Sequence, residues 1–178
     1  MPHSPEDATA SRHDEVDRIV EGWRRARSDL DVAPLTVFSR ISRLSRYLEV
    51  ARRSAFSEAG LEGWEFDMLS ALRRSGEDAL SPGALMHETM VTSGTMTTRI
   101  DKLVSRGLVS KNRSPHDGRA VEVRLRADGV ARVDAAMERL LEAEQGLLEP
   151  LAPDGRSALA DTLRALLLTF ESDDAHPR

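Results

Sequence analysis

The sequence predicts a mainly α-helical fold with one small β-hairpin. Charged residues make up 31% of the chain and aromatic residues only 4%, a composition typical of helical proteins. Hydrophobic residues recur at three- and four-residue intervals through most of the 178 residues, which indicates amphipathic helices. At one place the period changes to two, where Val121, Val123 and Leu125 alternate with charged residues. A strand pair is expected there.

Two helices are expected after residues 1–10, which lack hydrophobic periodicity and are predicted to be disordered. Ser11 and Asp14 have the spacing of a capping box for the first helix. Pro34 suits the start of the second helix, which should end near Gly60. The second helix has a hydrophobic seam that should pack against a partner helix, formed by Val37, Ile41, Leu44, Leu48, Ala51 and Ala55. The first helix has a shorter stripe of Val16, Ile19, Val20 and Trp23.

Three shorter helices follow. The first runs from about Glu62 to Arg74, and its expected core residues are Trp64, Phe66, Leu69 and Leu72. Ser81-Pro82 is a strong start signal for the next, which should end near His87. The third runs from Gly94 to about Ser105 and is closed by Gly107.

The hairpin and two C-terminal helices complete the chain. Leu108-Val109 and the alternating segment flank a polar stretch, Asn112 to Ala120, whose residues favour a turn. After Asp128-Gly129 two amphipathic helices follow, the second beginning near Pro153. A helix-turn-helix followed by a hairpin is the winged helix-turn-helix, a DNA-reading motif. The predicted organisation is N-terminal helices over 11–58, a winged lobe over 59–127 and C-terminal dimerisation helices over 128–173.

The net charge of −5 is unevenly distributed. The segment from Leu80 to Arg126 carries +4, and the remainder therefore carries −9. A basic middle in an acidic chain indicates a localised surface for a polyanion. On charge alone, an ordinary solvated basic face explains the pattern as well.

The predicted helix from Gly94 has a polar side that suits a major groove. Small hydroxyl residues there allow close approach and hydrogen bonds to phosphates or base edges. Arg99 is the best candidate for reading a guanine, and Lys102 for contacting phosphate. A threonine-rich surface helix without a partner explains this segment as well. The candidate DNA contacts are Ser93, Thr95, Thr97, Thr98, Arg99 and Lys102.

The hairpin loop adds a more specific set of candidates. Arg113, His116 and Arg119 lie close together in the sequence, and Asp117 precedes Arg119 by two residues. An acid so placed can hold an arginine side chain for insertion into a narrow minor groove. A merely solvated loop explains Arg113 and His116, but not the combination with Asp117 and Arg119.

Four motifs together resemble the multiple-antibiotic-resistance-regulator (MarR) family over about residues 36–172: Ser81-Pro82-x-x-Leu85, the run from Ser93 to Leu103, Arg106-Gly107-Leu108-Val109, and Asp117-Gly118-Arg119. The resemblance implies a homodimer whose outer helices interlock, with one winged lobe per subunit on a pseudo-palindromic site. It also implies a regulator, usually a repressor, that releases DNA when a ligand binds between the dimerisation helices and the lobe. Gly118 departs from the family, which commonly has arginine there, and so does Arg126, where threonine is common.

The helix that carries Trp23 is not general to the family and resembles its urate-responsive branch. That resemblance implies an effector site made of Trp23, Asp67, Arg74 and Lys111. A planar anion would stack on the tryptophan and be neutralised by the arginine, and displacement of Asp67 from Lys111 would tilt the DNA-reading helix. Lys111 stands where the branch has arginine, so a urate-like compound, an aromatic acid or a polycarboxylate all fit. Structural packing and ion pairs explain the same residues as well.

Other classes of function find little support. The five histidines are scattered, and His87-Glu88 has Val91 where a zinc-protease helix needs a second histidine. No glycine-rich phosphate loop and no cysteine is present, so no catalytic residue, metal site or cofactor is predicted. A winged-helix protein-interaction module that never meets DNA remains the alternative. Without a secretion signal or a long apolar run, a cytoplasmic protein with no membrane partner is expected.

Overall fold

The computed structural model describes residues 13–114 and 120–174 and divides into two compact units, separated between Val50 and Ala51. The first unit contains α1 (Glu15–Ala26) and the first part of α2 (Ala33–Glu58). The second contains the end of α2 and all later elements. These are α3 (Gly63–Arg74), α4 (Pro82–Thr89), α5 (Ser93–Ser105), β1 (Val109–Arg113), β2 (Val121–Leu125), α6 (Ala127–Leu148) and α7 (Pro153–Asp174). The predicted mainly helical class with one hairpin is confirmed.

In the first unit, α1 begins one turn later than the expected cap at Ser11. The carboxylate of Asp14 accepts hydrogen bonds from the backbone N–H groups of Val16 (2.8 Å) and Asp17 (3.1 Å). Asp17 in turn accepts from the Asp14 backbone N–H at 2.9 Å, which completes a capping box. The prediction was wrong because two overlapping pairs have the spacing of a capping box, Ser11 with Asp14 and Asp14 with Asp17. The pair that forms places two acids, Glu15 and Asp17, in the positive first turn of the helix.

The contact between α1 and α2 combines a small core with an ion-pair cluster. Val16, Val20 and Val32 are buried together. Above them, Arg40 donates to Asp14 (2.9 Å) and to Asp17 (2.7 Å). The Arg40 hydrogen bond lowers the pKa of Asp14, and bonds from the Asp14 backbone and then from Arg40 lower the pKa of Asp17.

The core of the second unit lies between α3, α4, α5, α6 and the hairpin. Phe56 at the end of α2 stacks on Phe66 of α3 with ring centroids 4.1 Å apart. Of the predicted core of α3, Phe66, Leu69 and Leu72 are buried, whereas Trp64 is only half-buried. The largest side chains that are fully buried include Met68, Leu69, Leu85, Met96, Ile100, Leu103 and Leu108.

The hairpin is antiparallel, with Val109 opposite Leu125 and Arg113 opposite Val121. Val123 is fully buried, and its backbone N–H and carbonyl also pair with Leu80 at 2.9 and 3.0 Å. The predicted strand is therefore confirmed. The loop was predicted to begin at Asn112, but β1 continues to Arg113 because paired backbone groups satisfy each other whatever side chains they carry.

The helix boundaries near the hairpin are mostly those expected. Ser81 caps α4 by accepting from the Ala84 N–H at 3.1 Å, and the helix continues to Thr89, two residues past the expected end. Gly107 has φ +71°, a left-handed conformation that ends α5 as predicted. The helix α6 starts at Ala127, so Asp128-Gly129 forms its first turn instead of preceding it.

Within the described residues, two helices carry many exposed hydrophobic side chains. On α7, which begins at Pro153 as expected, these are Leu159, Leu163, Leu166, Leu167 and Phe170. On α2 they include Val37, Phe38, Ile41, Leu44, Tyr47 and Val50. Within the described part of the chain, no helix is both long and apolar enough to cross a membrane.

Candidate nucleic-acid interface

The outer surface of α5 carries most of the predicted DNA contacts. Met96, Ile100 and Leu103 anchor the helix in the core. Five of the six candidates on this helix are exposed: Ser93, Thr95, Thr97, Thr98 and Lys102. The Thr98 hydroxyl donates to the Gly94 carbonyl at 3.3 Å, which leaves its oxygen lone pairs to accept from another donor.

Arg99 differs from the other candidates because it is half-buried. Its guanidinium carbon lies 5.3 Å from the ring centroid of Trp64, and Nζ of Lys102 lies 5.9 Å from the same centroid. Arg99 was expected opposite the apolar face of α5. The structure places it on the flank instead, against the start of α3. The three cations Arg99, Lys102 and Arg106 follow one another at helical spacing along this flank.

An ion pair between a buried acid and an exposed arginine completes the contact between α5 and α3. Arg106 donates to the carboxylate of Glu65, whose side chain is only 2% exposed, and to the carbonyl of Gly60 at 2.7 Å. Glu65 also accepts from the Glu62 N–H at 2.9 Å. The sequence analysis missed this acid, although Glu65, Met68, Leu69 and Leu72 have the spacing of one buried helix face.

The hairpin carries one predicted contact that the structure describes. Arg113 is exposed at the end of β1, whereas His116, Asp117 and Arg119 lie outside the described residues. Nearer the base of the hairpin, Nζ of Lys111 pairs with Asp101 of α5 at 3.0 Å. This ion pair joins the hairpin directly to the helix that carries the other candidates.

The predicted partnership between Asp67 and Lys111 in the effector site is wrong. Asp67 lies 3.9 Å from Arg52 of α2, and Lys111 pairs with Asp101 instead. Arg74 donates to Glu88 of α4 at 2.8 Å. Each of these charged residues pairs with a residue of another element, which sequence spacing could not reveal. Trp23, in the first unit, is 49% exposed.

The first unit also contains an open cleft of about 610 Å³ beside α1. Val20, Arg24 and Thr36 line it among others, but Trp23 does not. Among residues 13–114 and 120–174, no cluster of histidine, aspartate or glutamate side chains could hold a metal ion.

Comparison with known proteins places this arrangement in context. A model described as the MarR family matches residues 59–120. The HTH-type transcriptional regulator PecS of Dickeya dadantii (strain 3937) is 35% identical over 158 residues, which cover 88% of this chain and 93% of that protein. The HTH-type transcriptional repressor YetL of Bacillus subtilis (strain 168) is 27% identical over 60% of this chain and 64% of its own length.

Solved structures share the fold. A mutant MarR from E. coli complexed with operator DNA matches with a TM-score of 0.63 at 23% identity, over 78% of this chain and 99% of that one. BpsR of Bordetella bronchiseptica, whose DNA binding is regulated by 6-hydroxynicotinic acid, matches with a TM-score of 0.55 at 27% identity, over 71% and 98%. The similarity therefore extends over the helices on both sides of the hairpin.

Proposed function

The chain belongs to the MarR family of winged helix-turn-helix transcription regulators, and from this premise we propose that it is a homodimeric repressor released from its operator by a small anion. The family membership makes it a DNA-binding regulator of transcription. The dimer, the repression, the effector and the residues that contact DNA are the proposed parts.

The observation that carries the DNA interface is the exposed polar side of α5, followed at once by a hairpin with Arg113 at its end. A helix fits the major groove, which is about 12 Å wide. Exposed hydroxyls and Lys102 on that helix would meet phosphates and base edges. The hairpin would lie beside the neighbouring minor groove, where we propose that Arg119 inserts with the help of Asp117. The local charge of +4 would attract the duplex.

The exposed hydrophobic side of α7 supports the homodimer. Leu159, Leu163, Leu166 and Phe170 repeat at helical spacing along one stripe. A monomer would leave this stripe partly in water. Because these leucines are 37–39% exposed in the single chain, covering each one with a second copy would stabilise the dimer by about 1 kcal/mol. The exposed side of α2 is a second hydrophobic surface on which a partner helix could pack.

The effector is proposed from the relatives and from the charges in the lobe. BpsR responds to an aromatic acid, and Trp23 with Arg74 would suit a planar anion. Because Lys111 holds Asp101, an anion that draws Lys111 away would release a charge on α5 itself. The ligand shifts the equilibrium only if it binds the DNA-free conformation more tightly than the DNA-bound one.

The test begins with a duplex that the protein enriches from a random-sequence library. Fluorescence anisotropy at two salt concentrations should show binding that weakens steeply with salt. Arg119→Ala should weaken binding and reduce the salt slope by about 1, whereas Arg18→Ala, on the exposed side of α1, should change neither. Failure to enrich any sequence would favour the protein-interaction module.

The same titration identifies the effector class. Urate, 6-hydroxynicotinic acid and citrate are added to the preformed complex in turn. One compound should lower the affinity for DNA, and Trp23→Leu should then raise the concentration of that compound needed for half release. If Trp23→Leu and Arg74→Ala both release DNA at the same compound concentration as the wild type, neither residue belongs to the effector site.

A further inference from the structure

The ring of Trp64, the second residue of α3, lies close to two cationic side chains of α5. The guanidinium carbon of Arg99 lies 5.3 Å from the ring centroid and Nζ of Lys102 lies 5.9 Å from it. Among aromatic side chains, tryptophan attracts cations at this distance most strongly, through the negative face of its ring. Within the described residues neither Arg99 nor Lys102 forms a salt bridge. The indole ring is a partner that the two cations share.

The ring is itself held in place. The indole Nε1 donates to the Glu62 carboxylate at 2.6 Å, and Glu62 is the residue that precedes α3. The Glu62 backbone N–H donates to buried Glu65, which also receives Arg106. The start of α3 thus forms a rigid platform that faces one flank of α5.

Contact with a ring leaves the N–H donors of Arg99 available, whereas contact with a carboxylate would not. A cation–π contact takes up none of the guanidinium N–H donors in hydrogen bonds, so the donors of Arg99 remain available to another acceptor. A carboxylate partner would occupy two of those donors. Arg99 is therefore restrained in conformation and still able to donate.

We infer that Trp64 is a positioning residue of the DNA interface: its ring restrains the Arg99 guanidinium on the flank of α5 and leaves it able to donate to a base edge. The inference rests on the proposed DNA contacts of α5. Ordering a long side chain on binding weakens affinity by roughly three- to tenfold, and a side chain that is already restrained avoids most of this loss. The loss of affinity should be larger for the preferred DNA sequence than for other sequences, because base-edge contacts discriminate between base pairs and phosphate contacts do not.

The experiment uses the full chain and the library-enriched duplex described above. Trp64→Leu should weaken binding to that duplex by roughly three- to tenfold and leave affinity for a scrambled duplex within about twofold. In an Arg99→Ala background the same Trp64→Leu change should cost less than about twofold, because its target side chain is gone. Trp64→Phe should restore most of the loss, since it keeps an aromatic face.

A second measurement does not depend on removing Trp64. The chain has two tryptophans, so Trp23→Phe leaves Trp64 as the only indole. In that background Arg99→Ala should change the fluorescence emission of the folded protein, because a cation leaves the ring face. This readout is available even if Trp64→Leu does not fold.

The outcomes separate the inference from the function on which it rests. Equal losses from Trp64→Leu with and without Arg99, equal losses on both duplexes, or unchanged emission in the second measurement would each overturn the inference alone. A library selection that enriches no sequence would overturn the DNA interface and the inference together.

Discussion

At the scale of single residues, ion pairs join the elements of the lobe, and the contribution of each pair to stability depends on its burial. Glu65 is almost wholly buried and receives Arg106, so removing Arg106 would leave a buried carboxylate without its compensating charge. The pair between Arg139 and Glu58 joins two helices as well, but both side chains are about half exposed. Such surface pairs contribute little to the free energy of unfolding because water and salt screen them.

Asp134 gives a pH-dependent prediction at this scale. Arg73 donates to both of its carboxylate oxygens, at 2.9 and 3.1 Å, and these bonds lower the pKa of Asp134 below its ordinary value of 3.8. A lowered folded-state pKa stabilises the fold above the unfolded value, and this contribution is lost as the pH falls through the folded value. Asp134→Asn should lower the melting temperature slightly at pH 7, by roughly 1–2 °C.

The melting temperatures of the wild type and Asp134→Asn are compared from pH 7 downwards. Their difference should stay constant to about pH 5 and shrink below the unfolded pKa of about 4. Glu142→Gln, an exposed change on the same helix, should show no such pattern. A difference that persists at the lowest pH at which both proteins are folded would contradict the assigned cause.

At the scale of elements, close packing of backbones decides where α6 begins. An added Cβ at Gly129 would lie 2.1 Å from the carbonyl oxygen of Leu108 and 3.0 Å from its carbon. Only a residue without a side chain fits there, so the glycine that indicates a loop from sequence lies inside the first turn of a helix. The helix α6 can therefore pack directly on the start of the hairpin.

Gly129→Ala should destabilise the protein despite the better helix propensity of alanine. The clash is with backbone atoms and should cost about 2 kcal/mol or more, against a gain of at most about 1 kcal/mol from propensity. Gly146→Ala is a matched control in the same helix, because an added Cβ there has nothing within 4 Å. Urea unfolding should show Gly146→Ala stabilised by roughly 0.5–1 kcal/mol. If both substitutions changed the free energy of unfolding in the same direction, the packing argument would be refuted.

At the scale of the whole molecule, the exposed hydrophobic stripe of α7 is the surface on which we propose that two copies associate. Leu163 lies in the stripe, whereas Leu168 lies on the other side of the helix, five residues and thus about 140° away. Both side chains are exposed in the single chain, at 37% and 52%. They therefore differ chiefly in the side of α7 that they occupy.

Leu163→Glu should weaken the dimer roughly a hundredfold or more, because each of the two copies would bury a charge in place of a leucine. Leu168→Glu should leave the dimer intact. Sedimentation or light scattering at micromolar concentration measures the mass of each variant. A dimer that tolerates Leu163→Glu as well as Leu168→Glu would place the interface elsewhere.

Local patterns in the sequence determined the order of the elements and several of their ends. Hydrophobic period, the Ser81 cap, Gly107 and Pro153 each act over one or two turns of backbone, so they are legible without knowing which elements are neighbours. The same periodicity identified the polar side of α5, where five of six candidate DNA contacts are exposed. The family resemblance, carried by short motifs, was confirmed by the family model and by the 35% identity to PecS.

Only the tertiary structure decided which charged side chains meet. Glu65 and Arg106 are 41 residues apart in the sequence, and Arg99 lies against Trp64 from another helix. Asp67 and Lys111 have other partners than those expected. The physical reason is that helical period fixes the direction of a side chain around its own axis, whereas its partner depends on which helix packs there and at what rotation. Burial, ion pairing and the space around Gly129 all follow from that packing.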